Sequence, residues 1–411
     1  MSLHSLYVDL NSYFASVEQQ LRPELRGRPI GVLAVMADTT CCIAASIDAK
    51  RFGIRTGTPV WQARKRCRDI VFVQARPAIY VEIHHRIIAA VESCTPVGEV
   101  LSIDEMACEL MGSEREEANA IRLGRQIKQA IYDQVGEVLH SSIGIAPNRF
   151  LAKTASNMQK PDGLVVIRQS ELPGRLYGLK LGALTGIGRA MEQRLNQLGI
   201  HTVEQLCAAG KATLRHAWGG IEGERFYAKL RGDAMAAAPT QRASVGHSNV
   251  LAPELRDPAS ALAVVKRLLH KAAMRLRHYG YCAGALSLHL QYTKTGAGHP
   301  RWVDQARFPP HADTLRFNPA LAELWQRRPP DPGPILKVGV TLSDLVEHGQ
   351  VTRDLFDPDD RHDLLNTVLD RINQRYGPNT LYFGGVHTSR GAASMHIAFS
   401  HVPELQVEND A

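Results

Sequence analysis

Leu6-Tyr7-Val8-Asp9-Leu10-Asn11-Ser12-Tyr13-Phe14 reads as an apolar strand that ends on an acid and turns into a helix. Val100-Leu101-Ser102-Ile103-Asp104-Glu105-Met106 places two more acids where a second strand pattern turns. Carboxylates delivered from the ends of neighbouring strands suit two-metal phosphoryl transfer, because they can hold two Mg²⁺ ions roughly 3.5–4 Å apart. Either patch taken alone reads first as a turn residue or a helix cap. The pattern around them reverses that reading.

Working outward, the periodicity predicts a strand over about 4–10 and a helix over about 12–20. A short-element region rich in glycine and proline follows, and a long helix is expected over about 78–93. Strands at about 99–103 and 106–110, a helix at about 114–135 and a strand at 141–146 complete an α+β, ferredoxin-like unit of helices interleaved with an antiparallel sheet. Short helices are expected from about 166 to 235, with Thr185-Gly186-Ile187-Gly188 opening one that closes at Gly199. Gly186 and Gly188 would let the backbone approach a phosphate, as in a helix-hairpin-helix, although G-x-G alone is equally an ordinary turn. Beyond a small, polar linker at 237–243, strands at 244–250, 284–292, 302–308 and 335–342 with helices at about 258–279 and 319–328 form a second α+β module. A charged, loop-like stretch at 347–360 leads to a helix over 364–375 and short strands at 380–383 and 394–399.

The 411 residues exceed what one core accommodates and suggest two to four domains. No signal peptide or membrane-length apolar run is present. The seven cysteines are odd in number, scattered and never in a C-x-x-C pattern, which indicates reduced thiols and a cytoplasmic location. A formal charge of +7 points to a polyanionic partner. Basic residues gather at Arg64, Lys65, Arg66 and Arg68, and along the 258–279 helix at Lys266, Arg267, Lys271, Arg275 and Arg277. Such a run is otherwise a solvated helix face. His84 and His85 have no partner at ligand spacing and read as helix-surface residues.

Four motifs in order carry a resemblance: Tyr7-Val8-Asp9-Leu10-Asn11-Ser12-Tyr13-Phe14-Ala15-Ser16-Val17-Glu18; Ser102-Ile103-Asp104-Glu105; Gly144-Ile145-Ala146-Pro147-Asn148 with Leu151-Ala152-Lys153 and Lys160-Pro161-Asp162-Gly163; and Gly186-Ile187-Gly188. Over nearly its whole length the chain resembles Y-family translesion DNA polymerases of the DinB/UmuC superfamily. The resemblance implies a right-hand architecture: palm at 1–22 and 76–165, small fingers at 23–75, a helical thumb at 166–236, linker 237–243, an α+β little finger at 244–346 and a C-terminal extension at 347–411. It implies that Asp9, Asp104 and the Leu10 carbonyl hold a nucleotide-bound metal, with Glu105 joining both aspartates around a catalytic one. Two Mg²⁺ ions are implied, with Mn²⁺ as a substitute. Three carboxylates converging without a cation would repel one another, so the physical reading agrees.

By the same resemblance, Asn11, Ser12, Tyr13 and Phe14 line the incoming dNTP. The Phe14 ring acts as a steric gate against the ribose 2′-hydroxyl, where the plain alternative is a core residue. Lys160 reaches the triphosphate. The fingers carry Ile47 and Lys50 where DinB-like enzymes have Tyr and Arg, and Lys50 is a point donor without the fork of arginine. A lysine there, with the C-terminal stretch, looks nearer UmuC than DinB. Primer-template DNA would lie on Gly186, Gly188, Lys266, Lys271 and Arg275. Thr352-Arg353-Asp354-Leu355-Phe356 sits where UmuC has its sliding-clamp peptide, so Leu355 and Phe356 are the expected anchors. A UmuD-like accessory protein or recombinase filament is a further implied partner. The implied activity is low-fidelity, two-metal nucleotidyl transfer in translesion synthesis. The rivals are a non-catalytic scaffold that recruits other polymerases to the clamp, and a palm-type nucleotide cyclase.

Overall fold

The computed structural model describes residues 3–38, 40–234, 242–293, 300–330, 333–351, 360–377, 379–389 and 402. They fall into two compact units, divided within 235–241. Residues 237–241 of the expected linker, the Leu355 and Phe356 pair and the strand expected at 394–399 lie outside the described residues.

The first unit runs β1 (Ser5–Leu10), α1 (Tyr13–Leu21), β2 (Ile30–Leu33), β3 (Cys42–Ala45), α2 (Ile47–Arg51), α3 (Val60–Arg66), β4 (Val71–Gln74), α4 (Pro77–Glu92), β5 (Glu99–Ser102), β6 (Glu105–Glu109), α5 (Glu117–Gln134), β7 (Ser141–Ala146), α6 (Arg149–Met158) and β8 (Leu164–Val166). Its main sheet has the order β5-β6-β1-β7-β8. The sequence pattern predicts an antiparallel sheet. The sheet is instead mixed, because β8 pairs parallel to β7. Between β1 and the rest of this sheet, the expected short-element region forms its own three-stranded sheet, β3-β2-β4, closed over Leu33, Ile54, Val60 and Ala63.

Period-2 alternation gives the two faces of the main sheet different covers. Leu6, Val8, Met106, Ile143 and Ile145 share one face, and Gly124 of α5 packs directly on Ile143 and Ile145. Tyr7, Asp9, Glu105, Ala107 and Gly144 share the other, where α6 lies. A Cβ at Gly144 would stand 1.9 Å from the Ala152 carbonyl oxygen, so only glycine lets α6 approach this closely. Helices α7 (Arg189–Gln197), α8 (Val203–Ala208), α9 (Lys211–Trp218) and α10 (Ile221–Leu230) share a continuous apolar core with α6, from Leu151 and Ala155 to Leu195, Leu206 and Phe226.

The second unit contains β9 (Ser244–Val250), α11 (Pro258–His278), β10 (Tyr281–Tyr292), β11 (Arg301–His311), α12 (Thr314–Arg327), β12 (Ile335–Glu347) and α13 (Asp360–Tyr376). Its antiparallel sheet has the order β11-β10-β12-β9. Leu286, Leu288, Val338, Val340 and Val245 meet α11 and α12 in one core. The helix expected from 319 starts five residues earlier, capped by Asp313, with Pro319 inside it. Proline suits a helix's first turn, so the sequence pattern places the start too late. Residues 380–383 are not a strand: they lead into a 3₁₀ turn at Gly384–Ser389. Helix α13 docks on the same module, since Arg277 makes a two-pronged bond to Asp370 at 2.7 and 2.9 Å.

Candidate active site

The acids meet at one end of the main sheet, around its central strand β1. Asp9 on β1 lies opposite Glu105 on β6 and opposite Ser142 on β7. Asp104 occupies the two-residue turn that joins β5 to β6, and its carbonyl accepts a 2.9 Å bond from the Leu10 amide. Ser102 Oγ donates to Asp104 Oδ1 at 2.6 Å, and the Tyr7 hydroxyl donates to Glu105 Oε2 at 2.7 Å. Antiparallel register thus brings together carboxylates that stand nearly a hundred residues apart.

Two ammonium groups stand on these acids. Lys153 of α6 donates to Asp9 Oδ2 at 2.9 Å and also to Glu105 Oε1. Lys160 donates to Asp9 Oδ1 at 2.6 Å. Burial pulls the Lys153 ammonium down, yet Asp9 and Glu105 together outweigh it and hold it above its ordinary value. Asp104 goes the other way: burial, with Glu105 and Asp9 adding repulsion against the Ser102 bond, pushes its carboxyl up to about 6. The sequence offers Lys153 only as part of the Leu151-Ala152-Lys153 motif; its distance from both acids in the chain hides the bridge.

As the side chains stand, no three acidic, imidazole or thiol groups among the described residues form a ready ligand shell. Lys153 bridges Asp9 and Glu105, while Asp104 turns to Ser102. The donor chemistry nevertheless fits a hard divalent cation. Three carboxylates and the Leu10 carbonyl offer only oxygen, the site already draws two cations, and a dication would favour the ionised form of Asp104.

Around the acids, Asn11 ties the end of β1 to the turn at 160–163. Its Oδ1 accepts from the Asp162 amide at 2.7 Å and its Nδ2 donates to Ser142 Oγ at 3.0 Å. The Asn11 N–H is spent on the His140 carbonyl at 2.8 Å, so it is not free to face a phosphate. Ser12 holds a left-handed conformation just before α1. Phe14 is 4% exposed and stacks on Tyr80 with ring centroids 4.8 Å apart, while the Tyr13 hydroxyl donates to the Tyr80 carbonyl. Tyr80 is itself fixed by Glu18, which also takes two bonds from Arg76 at 3.0 and 2.7 Å. Lys50, on α2 behind the Ser46 cap, lies near enough to Lys160, Asp9 and Asp104 to interact with their charges. Its ammonium is lowered by the protein around it and then by Lys160.

Gly186 has φ +91° and Gly188 forms the N-terminal boundary of α7, so both glycines sit at the helix entrance predicted for them. The basic helix differs from expectation. Arg275 is only 6% exposed, donates to the Tyr279 hydroxyl and lies against His247; Arg267 is buried too, bonded to the Ser389 carbonyl. Lys266 and Lys271 are half-buried. The helix lies on the sheet's covered face, so its arginines point into protein rather than solvent. The sheet's open face instead presents Arg301, Gln305, Arg307, His289 and Lys337, a set that strict alternation along β10 to β12 could have found. His84 is 2% exposed, not a surface residue; His85 beside it is exposed.

Comparison with known proteins gives three family matches: the impB/mucB/samB family over residues 8–157, its C-terminal domain over 242–355, and the thumb domain described for DNA polymerase-iota over 182–233. A protein of Moorella thermoacetica named DNA polymerase IV is 33% identical, with the match covering 92% of this chain and 94% of that one. Another of that name from Alkalilimnicola ehrlichii is 33% identical over 83% of this chain and 95% of its own length. DNA polymerase IV 1 of Bacillus subtilis is 29% identical over 92% of each. Among solved structures, a Y-family DNA polymerase chimera of Dbh and Dpo4 aligns with a TM-score of 0.70 at 24% identity, covering 84% of this chain and 99% of the other. An insertion ternary complex of Dbh DNA polymerase aligns at 0.55.

Proposed function

Since the chain belongs to the impB/mucB/samB family of Y-family DNA polymerases, we propose that it is a template-directed, low-fidelity polymerase acting in translesion synthesis, DNA repair and the SOS response. One observation carries this reading. Asp9 and Glu105, in register across β1 and β6, converge with Asp104 of the adjoining turn at one end of the sheet. A scaffold that only recruits other polymerases has no use for that convergence.

In this reading Asp9, Asp104, Glu105 and the Leu10 carbonyl hold two Mg²⁺ ions, with Mn²⁺ as a substitute. The ions supply Lewis-acid activation of the primer 3′-hydroxyl and neutralise charge on the leaving pyrophosphate. Lys160 and Lys50 neutralise the triphosphate from the palm and the fingers. Lys153, which bridges Asp9 and Glu105 in the free protein, would supply a further positive charge beside the acids. Ser12, Tyr13 and Phe14 bound the nucleotide at the start of α1, and Asn11 holds that start against the 160–163 turn. The Phe14 ring, backed by Tyr80, stands as the gate against a 2′-hydroxyl.

DNA is held by its phosphates on Gly186, Gly188 and the open face of the second sheet, through Arg301, Arg307 and Lys337. Of the basic helix, Lys266 and Lys271 keep partial exposure for this role and Arg275 does not. A sliding clamp, engaged through Leu355 and Phe356, and a UmuD-like protein or recombinase filament are the further partners. Among the described residues no helix is long and apolar enough to cross a membrane. With its cysteines free, the protein's place is the cytoplasm.

The test is primer extension on primed DNA with Mg²⁺ and dNTPs, beside a variant carrying Asp104→Ala and Glu105→Ala. Extension by the wild type that the variant loses supports the reading. If the wild type binds primed DNA but does not extend it, even with clamp and partners added, the reading is wrong.

A further inference from the structure

Helix α4 turns Tyr80, Val81, Ile83, His84 and Ile87 into the protein, and His84 is the one titratable imidazole among them. Its Nδ1 lies 2.7 Å from the carbonyl oxygen of Ile103. A carbonyl only accepts, so Nδ1 carries the hydrogen and donates it. Burial, with His85 adding and the Ile103 bond opposing, draws the ring below the ordinary imidazole value.

Ile103 and Asp104 are the two turn residues between Ser102 and Glu105, which pair across β5 and β6. Two anchors of this turn come from the sheet itself: the Leu10 amide on the Asp104 carbonyl and the Ser102 hydroxyl on the Asp104 carboxylate. The His84 bond is different, because it ties the turn to a helix. Metal-ligating carboxylates tolerate only about 0.5 Å of displacement, and groups that orient ligands matter nearly as much as the ligands.

We propose that His84 is a positioning residue for the metal site: its Nδ1–H bond to the Ile103 carbonyl fixes the turn, so that Asp104 and Glu105 meet Asp9 in ligating geometry. This inference rests on the polymerase reading above.

The experiment titrates Mn²⁺ into the full-length wild type, His84→Leu and His84→Asn, following free Mn²⁺ by electron paramagnetic resonance. Affinity for primed DNA is measured separately by fluorescence anisotropy. His84→Leu fills the space without a donor and is expected to weaken Mn²⁺ binding about tenfold, with DNA affinity unchanged. His84→Asn offers an amide N–H where the imidazole Nδ1–H stood and should recover binding to within about twofold of wild type. His84→Met replaces the leucine variant if that one does not fold by circular dichroism. Unchanged Mn²⁺ binding in the donor-less variant overturns the inference. So does an asparagine variant as weak as the leucine one, since the ring's volume would then be what matters. A wild type that neither binds Mn²⁺ nor extends primers overturns the polymerase reading itself; a wild type that extends while every variant matches it overturns only the role of His84.

Discussion

Asp9 and Glu105 face each other across adjacent strands, and the ammonium of Lys153 bridges them from the helix laid over that face. Each carboxylate thus has a cationic partner in the free protein. Replacing Glu105 by Gln removes one negative charge while keeping its shape. Turnover in primer extension should fall about 10²- to 10³-fold, with affinity for primed DNA close to wild type. A loss below tenfold would remove Glu105 from the chemistry.

Asp104 predicts a pH dependence. Its carboxyl is raised in the folded protein to about 6, from the ordinary 3.8. The folded state therefore binds this proton more tightly than the unfolded chain does. That contribution is fully present below pH ~4 and is lost as pH rises through ~6, at most about 3 kcal/mol. In metal-free buffer, Asp104→Asn should flatten the decline in stability over this window, read by denaturant unfolding at several pH values. With metal the sign reverses, because protons compete for the ligand: the Mn²⁺ concentration needed for half-saturation should climb as pH drops below about 6.

Gly144→Ala tests the seat of α6. The added Cβ would meet the Ala152 carbonyl and the Ser156 amide. The helix has to move, at a cost of about 2–3 kcal/mol, and carries Lys153 with it. Both a lower melting temperature and reduced extension are expected; a variant that melts like wild type contradicts the packing described.

The Glu18, Arg76 and Tyr80 network predicts a stability loss linked to sugar discrimination. Glu18 is fully buried, and Gln there leaves Arg76 short of its counter-charge. Arg76 is partly in water, so about 2–3 kcal/mol is expected rather than the full cost of orphaning a buried charge. Tyr80 would exchange a charged acceptor for a neutral amide oxygen beneath Phe14. The ratio of ribonucleotide to deoxyribonucleotide incorporation should rise in Glu18→Gln, and more so in Phe14→Ala.

On the second unit, Lys337→Ala and Arg301→Ala should each lower the slope of log binding constant against log salt by roughly 1 on primed DNA. Arg275→Ala should instead lower stability and leave that slope alone, because its guanidinium bonds within the protein. The reverse pattern would return the DNA contact to the basic helix.

The strands and helices that carry the acids were legible in the chain because alternation and 3.6-residue periodicity are local. Strand 141–146 and strand 244–250 fall where the pattern puts them. The motif residues Asp9, Asp104, Glu105 and Lys160 also declared themselves in sequence, each beside a turn or strand end. What the sequence could not decide was which partner each long side chain finds. Lys153 meets Glu105 only because the tight contact at Gly144 lays α6 on the acid face, and Arg275 turns inward only because α11 covers one face of its sheet. His84 reads as a surface residue until α4 is packed and its ring meets the Ile103 carbonyl. Periodicity fixes which residues share a face of an element, while close packing and long-range register alone determine what that face meets.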